Sequence, residues 1–262
     1  MLKQLAVAAH RSQFKMHDFK KYLTEEHEKG GLTIFDIDDT LFHTTAKIKV
    51  MRDGKKVRDL TNQEYNTYKL KPGEKFDFGE FKDAKKFREE SKPIKRMFDK
   101  AKMILKNIAN KRNSRVIIVT ARSDFDDRET FLDTFRDHGF DIDKVRVERA
   151  GKIPNVSPAQ AKYIIIRNYL KQGVFARVRL FDDSIANLRA FLRLKSEFPK
   201  VDFEAYFANQ DGTVRKVSLN EEVKPDILPK SGAGAWGTDT LVKSYMRDTP
   251  GQKYKKFKEY VK

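Results

Sequence analysis

Thr33-Ile34-Phe35-Asp36-Ile37-Asp38-Asp39-Thr40-Leu41-Phe42 runs from a short apolar segment straight into three carboxylates and a threonine. Strand-favouring residues carry the backbone inward, and the acidic cluster opens at the strand's carboxyl end. Carboxylates crowded at a few ångströms raise one another's pKa unless a cation neutralises them. Such a cluster therefore points to a hard metal ion and to chemistry on an anionic group. An EF-hand loop is excluded, because Leu41 stands where it needs glycine and Lys47 where it needs glutamate. A merely solvated acidic turn is the plain alternative.

The chain has 262 residues, 35% of them charged, and a formal net charge of +17. That length suits one large domain with extensions. The surplus of cations points to an anionic partner, either nucleic acid or an acidic protein surface. With Cys 0 there are neither disulfides nor thiolate metal sites. The apolar run Leu2–Ala9 is too short for a secretory signal and is followed at once by His10-Arg11. No stretch reaches the length of a membrane span. The expectation is a soluble, cytoplasmic protein with no membrane partner.

Residues 1–31 read as a basic amphipathic helix closed by Gly30-Gly31, and 32–36 as the first strand. Lys47–Val50 and Lys56–Leu60 flank Arg52-Asp53-Gly54, a hairpin signal. Residues 61–91 are polar and dotted with aromatics, and Pro93 is read as opening a helix through Ile108. Val116–Val119 is a β-branched strand ending at Thr120-Ala121-Arg122. A helix at about 127–138 stops at Gly139. Val145–Val147 is a short strand. Ser157-Pro158-Ala159-Gln160 carries an N-cap, a first-turn proline and a capping box, and its helix is read to Gly173. Val174–Phe181 is a strand ending at Asp182-Asp183, with helix 185–195 after it. Val201–Phe207 and Val214–Leu219 are strands joined by a turn at 209–212. Strands alternating with helices predict an α/β fold, a three-layer Rossmann-like parallel sheet. The core is placed at 32–220, and 221–262 reads as a basic C-terminal extension.

Asp36 and Asp38, Thr120, Lys162, and Asp182 with Asp183 follow in chain order, most of them where the chain leaves a strand. Ligands of open parallel sheets bind beyond the carboxyl ends of the strands, so these residues are expected in one crevice. Their order and types resemble the haloacid-dehalogenase-like (HAD) superfamily. Asp36, Asp38 and Thr40 match its Asp-x-Asp-x-Thr motif, Thr120 its strand-terminal hydroxyl, Lys162 its lysine, and Asp182-Asp183 its acidic pair. A two-component receiver domain uses similar residues but places the acidic pair first, and no P-loop run is present.

The resemblance covers about 32–208 and implies a magnesium-dependent phosphatase working through an aspartyl-phosphate. It makes Asp36 the nucleophile and Asp38 the general acid and base. It gives the metal to Asp36, the Asp38 backbone carbonyl, Asp182 and Asp183, and the phosphate oxygens to Thr120 and Lys162. Plainer readings stand beside these. Lys162 is one lysine among many on a helix, Thr120 a strand end, and Asp183 an N-cap. Arg122 could grip a second phosphate or a nucleic-acid backbone, or be a surface arginine. Asn187 could orient Asp183, and His43 reads as structural.

Specificity in this superfamily comes from inserted caps. Only the stretch between Thr40 and Val116 has room for one, so a small cap after the first strand is placed at 44–92. It combines Lys47, Lys49, Arg52, Lys55, Lys56 and Arg58 with aromatics Tyr65, Tyr68, Phe76, Phe78 and Phe81. Cations that track phosphates and rings that stack on bases suit a nucleic-acid strand. A hairpin with a solvated basic face is the plain reading of the same residues. The layout is similar to the phosphatase domain of polynucleotide kinase-phosphatases, which implies a phosphorylated small-molecule or polynucleotide substrate. The alternative is a binding or assembly protein that kept the HAD core and docks on nucleic acid or an acidic protein.

Overall fold

A computed structural model of the chain describes residues 29–219. The expected N-terminal helix and the C-terminal extension from 221 lie outside the described residues. In chain order the strands are β1 (Gly30–Phe35), β2 (Phe42–His43), β3 (Ile48–Arg52), β4 (Lys55–Leu60), β5 (Glu74–Asp77), β6 (Lys92–Pro93), β7 (Arg115–Thr120), β8 (Arg146–Arg149), β9 (Phe175–Asp182), β10 (Asp202–Ala208) and β11 (Val214–Val217). The helices are α1 (Asn62–Thr67), α2 (Ala84–Glu90), α3 (Lys95–Ile108), α4 (Arg128–Arg136), α5 (Pro158–Leu170) and α6 (Ile185–Arg193).

The main sheet has six strands in the order β11-β10-β9-β1-β7-β8, all parallel except the edge strand β11. The chain winds outward from β1 through β7 to β8, then returns to β9 on the other side of β1 and continues to β10. The switch in direction thus lies between β1 and β9, where such sheets bind their ligands. Alternation along the strands separates two cores. Val116 and Ile118 of β7 join Phe35, α3 and α4 on one face, while Ile117 and Val119 join Leu32, Ile34, α5 and α6 on the other. This is the predicted three-layer α/β fold. On the first face the rings of Phe35, Phe181 and Tyr206 stack across β1, β9 and β10, with centroids 4.8 Å apart at each step.

Several boundaries differ from the sequence reading. Pro93 does not open a helix. It lies in β6, paired with β2, and α3 begins at Lys95 after the Ile94 N–H donates to the Leu41 carbonyl at 2.8 Å. Proline lacks the donor a central strand needs, but this two-residue pairing tolerates it. The helix capped by Ser157 and Gln160 ends at Leu170, short of Gly173. The strand expected at 145–147 is Arg146–Arg149.

The segment between β2 and β6 holds a three-stranded sheet in the order β4-β3-β5 with its own small core of Ala46, Ile48, Val50, Leu60 and Phe81. The turn joining β3 to β4 has Asp53 and Gly54 both at positive φ, the conformation that the Asp-Gly signal anticipates. The β2–β6 pair ties the two ends of the insertion together like a stem. Helix α1, β5 and α2 were not legible in 61–91, because each is only six, four and seven residues long. Among the described residues, no helix is long and apolar enough to cross a membrane.

Candidate active site

The register of the central strands sets the site. Phe35 pairs with Phe181, so Asp36 and Asp182 leave β1 and β9 side by side, and the Asp36 N–H donates to the Phe181 carbonyl at 3.0 Å. Asp36 does not continue the strand. The chain folds into a tight loop in which the N–H groups of Leu41 and Phe42 both donate to the Ile37 carbonyl, at 2.9 and 3.0 Å. Asp39 takes the left-handed conformation there, φ 55°, which Asp tolerates better than most residues.

Ligand oxygens of Asp36, Asp182 and Asp183 lie within 4.8 Å of one another. Between the first two stands the ammonium of Lys162, 2.8 Å from Asp36 Oδ1 and 2.7 Å from Asp182 Oδ2. Its side chain is 1% exposed, so the solvated-lysine reading is set aside. Helix α5 places it there because its capping box starts the helix beside the carboxyl ends of the strands. Asp182 Oδ1 also accepts from the Ser184 N–H at 2.9 Å and from Asn187 Nδ2 at 2.8 Å. Asn187 therefore orients Asp182, not Asp183. The N-cap of α6 is Ser184, so Asp183 is not the cap either.

Electrostatically the cluster is short of positive charge. Burial is the main cause that pushes the Asp36 carboxyl up, to about 7, with Asp182 and Asp38 adding to it and Lys162 opposing. Asp183 is raised well above the usual range by burial, then by Asp182 and Asp36. Burial disfavours the Lys162 ammonium, but Asp182 and Asp36 outweigh it and hold it charged. Asp36 Oδ1, although close to Lys162, lacks a well-aligned hydrogen bond and is an orphaned buried acceptor. Three hard carboxylate donors, an orphaned oxygen and a deficit of cations fit a divalent ion such as Mg²⁺.

The sign of the Asp36 shift makes a prediction. Between the unfolded value near 3.8 and about 7, the native chain holds a proton that the unfolded chain has released. Stability therefore falls as pH rises through that window. In EDTA, the melting temperature of the wild type should fall from pH 4 to 7 relative to that of Asp36→Asn, and Mg²⁺ should lessen the fall. Parallel curves for the two proteins in EDTA would refute the assignment.

Thr120 closes β7 in full burial, and its Oγ1 accepts from the Arg122 N–H at 3.2 Å, which leaves its own proton free to donate. Gly151 lets the next loop close on this turn, since a Cβ there would stand 2.3 Å from the Ala121 carbonyl oxygen. Arg122 corrects its sequence reading. It neither reaches outward for a phosphate nor sits on the surface. Its buried guanidinium grips Asp38 with both arms, Nε to Oδ2 at 2.9 Å and Nη2 to Oδ1 at 2.7 Å, and Nη1 donates to the Phe81 carbonyl at 2.9 Å. The rings of Phe81, Phe87 and Phe125 surround it at 4.7–5.6 Å. The Asp38 side chain consequently faces Arg122 and Thr44, which donates at 2.8 Å, and stands apart from the metal-type carboxylate group. His43 is half exposed, 3.9 Å from Asp39. The Thr44 and Phe81 contacts carried no sequence signal, since both arise from the insertion folding back.

The four motifs thus gather at the carboxyl ends of the parallel strands, around the switch point. No protein-family model matches the chain, and no curated protein does. Among solved structures, the HAD domain of the effector protein Lem4 from Legionella pneumophila is similar over 70% of this chain and 87% of that one, with 11% identity and a TM-score of 0.40. The inactive mutant of the same domain is similar over 89% of this chain and 100% of that one, with 11% identity and a TM-score of 0.39. Likeness this slight adds no weight to the positions of the chain's own residues.

Proposed function

We propose that this protein is a magnesium-dependent phosphomonoester hydrolase acting through an aspartyl-phosphate on Asp36. The observation that carries the reading is the buried Asp36–Lys162–Asp182 bridge, with Asp183 beside it, at the switch point of the sheet. Asp36, Asp182, Asp183 and the Asp38 backbone carbonyl would hold the ion. When bound, it supplies the positive charge that offsets a phosphoryl group among carboxylates.

Asp36 attacks phosphorus in line, its carboxylate oxygen bonding to phosphorus as the bond to the leaving oxygen breaks. Asp38 gives that oxygen a proton, then takes one from the water that cleaves the aspartyl-phosphate and frees Asp36. With both Asp38 oxygens accepting from Arg122, the base half uses the geometry as it stands. The acid half requires the pair to open at one oxygen. Thr120 donates its free hydroxyl proton to a phosphoryl oxygen. Lys162 fixes the two carboxylates and keeps an N–H for the same purpose. The insertion at 44–92 serves as the cap, and the substrate is a nucleotide or polynucleotide phosphate end.

The full chain should turn over a generic aryl phosphate with Mg²⁺ and stop on addition of EDTA. No turnover under any divalent ion would leave the second reading, a binding protein on a HAD-like core, which the net charge of +17 favours.

A further inference from the structure

The positive charge is unevenly placed. Residues 29–219 contain 41 Lys and Arg against 28 Asp and Glu, a surplus of 13. The insertion at 44–92 nets +5 over 49 residues, and its hairpin cations are largely matched: Lys49 by Glu80, Arg52 by Glu74, Lys56 by Asp59 and Arg58 by Glu64. Residues 95–115 net +7 over 21 residues, with eight Lys and Arg against the single Asp99.

Five of those cations, Lys95, Arg96, Lys100, Lys102 and Lys106, stand on α3, and Lys111, Arg112 and Arg115 follow it. The helix buries Met97, Phe98, Ala101 and Ile104 against the sheet, and Lys95, Lys102 and Lys106 form one row on its other side, Lys95 and Lys106 exposed and Lys102 laid over the Phe98 ring with its Nζ donating to the His138 carbonyl at 3.4 Å. Among the described residues, no carboxylate lies within 4.0 Å of Lys100, Lys106, Lys111 or Arg112, whereas Asp99 is shared between Lys95 and Lys102. The row is directional. It starts next to the Asp36–Phe42 loop, through the Ile94–Leu41 hydrogen bond, and ends at Arg115, the first residue of β7. Fourteen helical residues span about 21 Å, the axial length of about six phosphates of one strand.

We infer that the outer face of α3 and the turn after it bind the phosphate backbone of a nucleic acid, independent of sequence. A protein partner would need an apolar or aromatic core to its interface, and this face offers only Met103. A phosphate backbone needs only cations at intervals. The inference stands whether or not Asp36 turns over a phosphomonoester.

The test is fluorescence anisotropy of the full chain with a labelled single strand of about 20 nucleotides and no terminal phosphate, at about 50 to about 200 mM salt. Wild type should bind with affinity that falls steeply as salt rises. The variant Lys95→Gln/Lys106→Gln/Lys111→Gln/Arg112→Gln should bind about tenfold or more weakly, with a salt slope shallower by about 3, at about 0.7 per lost phosphate contact. A charge-matched control outside the cap and α3, Lys144→Gln/Lys171→Gln/Lys195→Gln/Lys200→Gln, should stay within about twofold of wild type. Equal weakening in both variants would overturn the inference in favour of net charge alone. Salt-insensitive or absent binding, or wild-type binding by the α3 variant, would overturn it too.

Discussion

Asp36→Asn is expected to lower kcat on an aryl phosphate by about 10³-fold or more, the scale on which loss of a covalent nucleophile acts. The same substitution should leave the metal-free protein folded and no less stable. Burial already pushes the Asp36 carboxyl to about 7, so the native cluster accommodates a neutral group there better than a charged one. Loss of activity with retained or raised melting temperature separates a chemical role from a structural one. Turnover close to that of wild type would remove Asp36 as the nucleophile. Loss of both activity and fold would instead make the residue a structural one.

Lys162→Met is expected to destabilise the fold by about 3–5 kcal/mol, measured by urea unfolding in EDTA, because it strands two buried carboxylates without their shared cation. Methionine fills a similar volume, so little of that cost comes from a cavity. Adding Asp182→Asn should recover a substantial part of the loss, since one of the stranded charges disappears. A loss below about 1 kcal/mol would mean that the ammonium is not the counter-charge its position implies. Activity should fall in the single variant in either case, so the unfolding measurement is the one that discriminates.

The layers, and the elements that carry the candidate residues, were legible because their signals are local and repeated. β-branched runs such as Val116–Val119 end in polar residues, and the capping box at Ser157 and Gln160 marks the start of the helix that carries Lys162. The surroundings of Arg122 were not legible. Three phenylalanines from three separate segments and a backbone carbonyl of the insertion enclose it, and no spacing rule anticipates such a meeting. The pairing of the hairpin's cations was hidden for a related reason: the acidic partners Glu74 and Glu80 lie 22 and 31 residues beyond Arg52 and Lys49 and meet them only in the folded insertion. Asn187, read as able to orient Asp183, instead donates to its neighbour Asp182. Which of two neighbouring side chains turns toward a helix depends on the last residue of a strand, beyond the resolution of a periodicity argument.

The stack of Phe35, Phe181 and Tyr206 has a bearing on how this protein tolerates change. Two of its rings belong to the residues immediately before Asp36 and Asp182, so the ring contact and the strand pairing both act one residue away from the two carboxylates. By burial alone, positions 35 and 181 are ordinary interior positions where any apolar residue of similar volume should serve. Positioned as they are, they behave as the mounts of an optical bench, where a shift small enough for the fold to absorb is still large enough to misalign what they carry. Substitution there should be read by its effect on chemistry before its effect on folding.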